Sequence, residues 1–403
     1  MLKRKFMCTA LVLGALFLGV LASLPLVAQE PAKGPFVVLE SLDGVVRQVK
    51  LEGFSLARMD TDVARVHFPS VSTAPARDSG FVLELLNGDR VRGEALYGGE
   101  ESLRLQIVGG AKIDFKIEAF RSLFSLDQLG REAELSAPET GDRLWRKVGT
   151  DFDRIDGLLV GFGSDGLLFE GQLGEREYPW GEVAALWIES LGGPSAKVDT
   201  AGPRVAVDLV GGSRLRAIFL GVADGAVKLR ALDGADITLS LDAVLEIDLD
   251  DARLRFVSAL PFESLGSSGL FGDEFGMRYP VRRDASVLGG PLMANGVRYA
   301  HGLGVHAPSH LALDWAEGGF LRGLVGLDDS ARRTATGGSV IFRIRLDGEV
   351  AYESAERSSA ESPVTLPALD LTGKKRIEFE VDEASGSVMG DRADWLDLRI
   401  TAE

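Results

Sequence analysis

Tyr299-Ala-His-Gly-Leu-Gly-Val-His-Ala-Pro-Ser309 holds two of the chain's four histidines and two closely spaced glycines. Taken alone, the stretch can be a metal site, a catalytic pair or a turn leading into a strand. Gly302, Gly304 and Pro308 argue against a helix, so His301, His306 and His310 do not stack along one helical face. In a strand, His301 and His306 have opposite parity and point to opposite sides. No Glu-x-x-His element and no cysteine accompanies them, which disfavours catalytic zinc. The stretch reads as the entry of a strand.

The surrounding region, from about residue 254 to 403, reads as all-β. Val340, Phe342, Ile344 and Leu346 alternate with Ile341, Arg343 and Arg345, and Arg376-Ile-Glu-Phe-Glu-Val-Asp382 repeats the pattern, as half-buried strands do. Asp347-Gly348 makes a hairpin turn into Glu349-Val-Ala-Tyr352. Gly337-Gly-Ser339 leads into a strand rather than a helix, so it is no nucleophile elbow. The clustered acids Asp328-Asp329 and Asp391, Asp394 and Asp397 suit turns or structural calcium better than an acid/base pair for sugar hydrolysis. A calcium ion is expected near Asp391 and Asp394. Sugar sites pair flat aromatic rings with planar polar side chains. Tyr299, His301, His306, Arg343 and Trp395 form the candidate carbohydrate-binding set. Trp315 and Trp395 also sit in apolar strand patterns, where a tryptophan is a core residue.

Upstream lies an internal repeat. Phe81-Val-Leu-Glu-Leu-Leu-Asn-Gly-Asp-Arg90, Asp153-Arg154-Ile-Asp-Gly and Val205-Ala-Val-Asp-Leu-Val-Gly-Gly-Ser-Arg214 open three copies. In each, the arginine stands the same distance ahead of Ala119, Val183 or Ala243. Such a fixed period marks duplicated units. Each copy predicts four strands joined by Gly and Asp turns, then a short helical turn and a fifth strand, which suits a small SH3-like or Sm-like barrel. The expected units span residues 80–128, 142–191 and 203–251, with a degenerate copy at 36–72 whose middle is too short. Arg90, Arg154 and Arg214 sit beside Gly turns, where an arginine covers an edge or pairs locally.

The chain opens with Lys3, Arg4 and Lys5, an apolar run from Ala10 to Leu26 and small residues to Ala28. This predicts a secretory signal peptide over residues 1–28, hence a secreted, periplasmic or envelope protein with no membrane insertion after cleavage. The single cysteine, Cys8, lies within it, so disulfides and cysteine metal ligands are excluded downstream. A net charge of −16 repels phosphate backbones and anionic lipid, against nucleic-acid and membrane-surface partners.

Leu288-Gly-Gly-Pro-Leu, Gly296-Val-Arg-Tyr-Ala-His301-Gly-Leu-Gly-Val-His306-Ala-Pro-Ser309, Leu324-Val-Gly-Leu-Asp328-Asp329, Gly338-Ser-Val-Ile-Phe-Arg343-Ile-Arg-Leu-Asp347-Gly348 and Asp391-Arg-Ala-Asp394-Trp395-Leu-Asp397 follow in order. With these pieces the region from Leu254 to Ala402 resembles the NPCBM family, the novel putative carbohydrate-binding module. The resemblance implies a galactose-binding-like jelly-roll β-sandwich that recognises glycans and is often attached to glycosidases. The Gly-Leu-Gly-Val-His and Asp-Trp pieces are structural hallmarks of that family. The arrangement looks like secreted proteins of the planctomycete type, with β-barrel repeats ahead of the module. No catalytic constellation and no β/α alternation accompanies it. The expected protein is therefore a secreted, non-catalytic binder of glycans or polysaccharides. The alternative is an envelope structural protein that binds a protein partner through its repeats.

Overall fold

A computed structural model describes residues 35–59, 63–69, 79–107, 110–129, 136, 138–189, 202–232, 234–267, 279–335, 337–385 and 388–402. The expected signal peptide lies outside them. Among the described residues no helix is long and apolar enough to cross a membrane. Nearly every element is a strand.

The first full copy contains Phe81–Leu85, Arg90–Gly98, Ser102–Ile107, Lys112–Lys116, the 3₁₀ turn Ile117–Ala119 and Phe120–Ser125. Its first strand pairs with both its second and its last. The third copy repeats this with Arg204–Leu209, Arg214–Ala223, Ala226–Ala231, Asp236–Ser240, the turn Leu241–Ala243 and Val244–Leu249. The second uses Asp142–Val148, Asp151–Phe162, Gly166–Gly171, Gly174–Pro179 and Val183–Trp187. The long second strand bulges at the same place after each arginine, at Ala95/Tyr97, Leu159/Gly161 and Phe219/Gly221. A bulge adds a residue and bends the strand. The degenerate copy keeps a first, second and last strand, Phe36–Glu40, Val46–Lys50 and Arg65–His67. Between Lys50 and Arg65 the described residues supply no strand.

The copies are arranged in two pairs. Last strand meets last strand in each: Phe124 opposite Ala185 joins the first and second copies, and Val66 opposite Ile247 joins the degenerate and third. The two pairs then meet where Arg90 and Arg214, the same position in their copies, lie opposite one another. Around that point the contacts are reciprocal. Arg92 N donates to Ser213 Oγ at 2.9 Å, and Arg216 N donates to Asp89 Oδ2 at 2.8 Å. The first and third copies are thus related by a local two-fold pseudosymmetry, and one apolar core runs through all four copies.

The C-terminal region is a two-sheet sandwich. One sheet is ordered Arg282–Arg283, Gly302–His306, Arg392–Thr401, Phe320–Leu327, Val364–Thr365. The other is ordered Glu263–Ser267, Ser309–Asp314, Arg376–Glu383, Ser339–Leu346, Glu349–Glu353. Val340, Phe342, Ile344 and Leu346 all face the core, as their alternation predicts. Trp395 fills its centre at 0 % exposure, with Phe342 and Phe379 meeting it edge-on at 5.1 and 5.4 Å. The two glycines of the opening stretch are required by packing. A Cβ on Gly302 would lie 2.3 Å from Trp395 O, and one on Gly304 would lie 2.3 Å from Ala285 O.

The sandwich sits on the degenerate and third copies through buried charges. Arg65 donates from Nη1 to Asp397 at 2.6 Å and from Nε to Asp248 at 3.0 Å, and it also meets Glu40 and Glu246. Arg399 reaches Glu40 and Asp397. Four acids and two arginines from both regions therefore share one water-poor seam, where each pairing is strong and each lost partner is costly.

Candidate functional site at one end of the sandwich

The five residues proposed from sequence do not converge. Trp395 is corrected first: it is wholly enclosed in the core and offers no ring face to a sugar. His301, 5 % exposed, lies in the seam against the third copy. Its ring stacks on Phe256 at 3.7 Å, its Nε2 is 3.4 Å from Asp248 and 3.7 Å from Asp208, and its Nδ1 is 3.5 Å from Asp284. Arg343 stands on the outer face of the other sheet, paired with Glu353, Glu380 and Asp382 at 2.7–2.8 Å. Tyr299 is half-buried in a small hairpin beside Leu292 and Leu396. Only His306 is left at a place with free chemistry.

His306 ends the strand Gly302–His306, directly opposite Arg392 at the start of Arg392–Thr401. Its Nδ1 lies 2.7 Å from the carbonyl of Ala307. A carbonyl only accepts, so Nδ1 carries the proton and Nε2 presents a lone pair. Burial first, and then the charge of Arg392, lowers the pKa of His306 and keeps the ring neutral. That Nε2 is buried and has no partner among the described residues. Tyr279 lies flat against the ring at 4.4 Å and 7°. Arg392 donates from Nη1 to Ser330 O at 2.9 Å, while its buried Nε and the Ser330 hydroxyl have no partner among the described residues. His306 thus holds an acceptor, Arg392 opposite it a donor, and Ser330, whose carbonyl accepts from Arg392, a hydroxyl, each without a partner among the described residues. A ligand hydroxyl both donates and accepts, and it complements this set. Sequence reasoning missed Tyr279 and Ser330. Only the cross-strand register brings Arg392 to His306.

Two groups of three potential metal ligands lie close together among the described residues: Asp208, Asp248 and His301, and His310, Glu378 and Glu380. Arginines already supply positive charge to both. Arg214 meets Asp208 and His301, and Arg345 holds Glu380 at 2.7 Å. The two residues of the expected calcium site meet different partners. Asp391 accepts the Ser339 N–H at 2.8 Å. Asp394 is fully buried against Asp328, and both its oxygens lack a hydrogen bond among the described residues. Burial, followed by Asp328, raises the Asp394 pKa well above the carboxylate range. The orphaned oxygens fit either a proton or a cation shared with Asp328, without Asp391.

Known proteins resemble parts of this chain. Alpha-1,3-galactosidase B of Akkermansia muciniphila is 32% identical over 123 residues, which is 29% of this chain; the chain spans only 15% of that protein. Among solved structures, the CBM51-2 and INT domains of Clostridium perfringens ZmpB, in complex with GlcNAc, are 19% identical with a TM-score of 0.32, covering 51% of this chain and 39% of that one. The CBM51 of Clostridium perfringens GH95, in complex with methyl-galactose, is 23% identical with a TM-score of 0.30, covering 37% of this chain and 99% of that one. The sandwich itself, residues 256–401, matches the family described as the NPCBM/NEW2 domain.

Proposed function

We propose that this chain is a secreted or periplasmic glycan-binding protein whose recognition site is the sandwich end formed by Tyr279, His306, Ser330 and Arg392. The buried Nε2 of His306 beside the Tyr279 ring, without a partner among the described residues, carries this proposal. Sugars offer the two things such a place lacks: hydroxyls that donate to a lone pair, and a C–H face that packs on an aromatic ring. The match of residues 256–401 to a carbohydrate-module family supports the same function. The repeats then act as a mount that carries the sandwich, and no catalytic step is assigned to either part.

A glycan array probed with the full chain tests this, followed by calorimetric titration of the best sugars. Galactosides and N-acetylglucosamine are the first ligands to titrate. His306→Ala and Arg392→Ala should each weaken binding by about tenfold or more. Arg343→Ala, on the far sheet, should leave it unchanged. Absence of binding to every plant, algal and host glycan at millimolar sugar would sink the proposal.

A further inference from the structure

We propose that the cavity between the first and third repeats is a second binding site, for a small, uncharged and mostly apolar molecule. The cavity encloses about 300 Å³, at the lower bound of small-molecule pockets. Leu85, Ile113 and Phe115 of the first repeat and Leu215 and Ile237 of the third form its walls. All five are buried residues of the repeat core. Ile113 and Ile237 hold the same place after Arg90 and Arg214, so the local two-fold brings equivalent positions of two repeats to one void. Protein interiors normally fill such a space with side chains. Here the opposed walls leave it open.

The walls are preorganised. Arg216 Nη1 donates to Asp89 Oδ1 at 2.7 Å, Arg216 N to Asp89 Oδ2 at 2.8 Å and Arg92 N to Ser213 Oγ at 2.9 Å. Each of these bonds crosses between the two repeats. They hold the pocket's shape without a ligand, which lowers the ordering cost of binding.

The same bonds define the ligand's charge. Asp89 is 1 % exposed and neutralised by Arg216, and Asp114 is neutralised by Arg104 at 2.6 Å. A charged ligand would bury its charge among leucine and isoleucine at high cost, and the remaining charged lining residues, Lys116 and Glu118, are of opposite sign and favour neither a cation nor an anion. A neutral molecule avoids that cost. Asn87, Lys116 and Glu118 are lining residues outside the core, and they give the mouth polar groups for one hydroxyl or amide. This site lies in the repeats and uses none of the residues of the glycan site.

The test is a fluorescence titration of the full chain with N-phenyl-1-naphthylamine, a neutral apolar fluorophore. Saturable, blue-shifted emission at one probe per chain is expected. Ala231 lines the cavity and is half-buried, so Ala231→Trp fills the void from its wall. Leu215→Glu places a charge inside it. Each variant should weaken the probe by about tenfold or more. Arg392→Ala should not change it. An unaltered melting curve for Ala231→Trp separates loss of the pocket from loss of the fold. No saturable binding, or equal affinity in Ala231→Trp at unchanged stability, overturns the proposal.

Discussion

At His301, burial is the largest influence and lowers the pKa, and Arg214 pushes it the same way. Arg214 Nη1 lies 2.7 Å from Nε2, a contact that favours the neutral ring. Asp208, Asp248 and Asp284 outweigh both and raise the pKa well above its ordinary value of 6.5. The sign follows from linkage. The folded state holds the proton more tightly than the unfolded one, so this stability is fully present below pH 6.5 and lost as pH rises through the raised value. His301→Gln should therefore flatten the alkaline side of a stability-versus-pH curve measured by urea unfolding. An unchanged alkaline limb refutes this. Asp394 has the same direction of shift and the same sign, over a window that begins at a lower pH. Its raised pKa means that stability falls as pH climbs above 3.8 toward the folded value. In calcium-free buffer at pH 7, Asp394→Asn should stabilise the chain, on the order of 1 kcal/mol, because an amide donates to Asp328 without needing a proton. Added calcium should raise the melting temperature of the wild type and not of the variant, if Asp394 and Asp328 share a cation. These roles were not legible in the sequence. His301 and His306 look alike there, and only tertiary partners set one among three carboxylates and an arginine and leave the other with an acceptor unpartnered among the described residues.

Elements were far more legible than sites. The period-2 pattern of Val340 to Leu346 and the fixed arginine spacing of the three copies depend on local backbone geometry, which a sequence encodes directly. The local pairing expected of the repeat arginines is present at Arg90, 3.2 Å from Glu84, and at Arg214, which pairs with Asp208. The reach of Arg214 to His301 crosses between domains, and no spacing rule predicts it. The glycines of the opening stretch carry a prediction at this scale. Gly304 faces backbone on the side where a side chain would go, with Ser286 C and Val287 N both 2.6 Å from the point a Cβ would occupy. Neither neighbour is a flexible side-chain tip, so the strand Arg282–Arg283 and the loop after it must move. Gly304→Ala should cost about 1–3 kcal/mol in chemical denaturation. A loss below that range would mean that the loop yields freely.

Across the whole molecule, the seam around Arg65 decides whether repeats and sandwich unfold together. Arg65 is fully enclosed by acids from both sides, Glu40, Glu246 and Asp248 from the repeats and Asp397 from the sandwich. Burial, the largest influence, lowers the arginine's pKa, yet Asp397, Glu246, Asp248 and Glu40 together raise it well above normal, so it stays charged. Removing one partner of such a network leaves the others buried and uncompensated, at about 3–5 kcal/mol. The penalty falls on the seam rather than on either core, because the core of the repeats and the core of the sandwich are separate apolar clusters. Wild-type chain should melt in one calorimetric transition. Arg65→Ala should split it into two, with the sandwich still folded between them. Arg65→Lys keeps a charge but loses the planar fork that serves several carboxylates at once, and it should fall between. A single transition in Arg65→Ala, merely shifted downward, would show that apolar contacts across the seam, such as the cluster of Leu42, Ala64 and Leu249 with Leu254 and Phe256, couple the two parts without the charges.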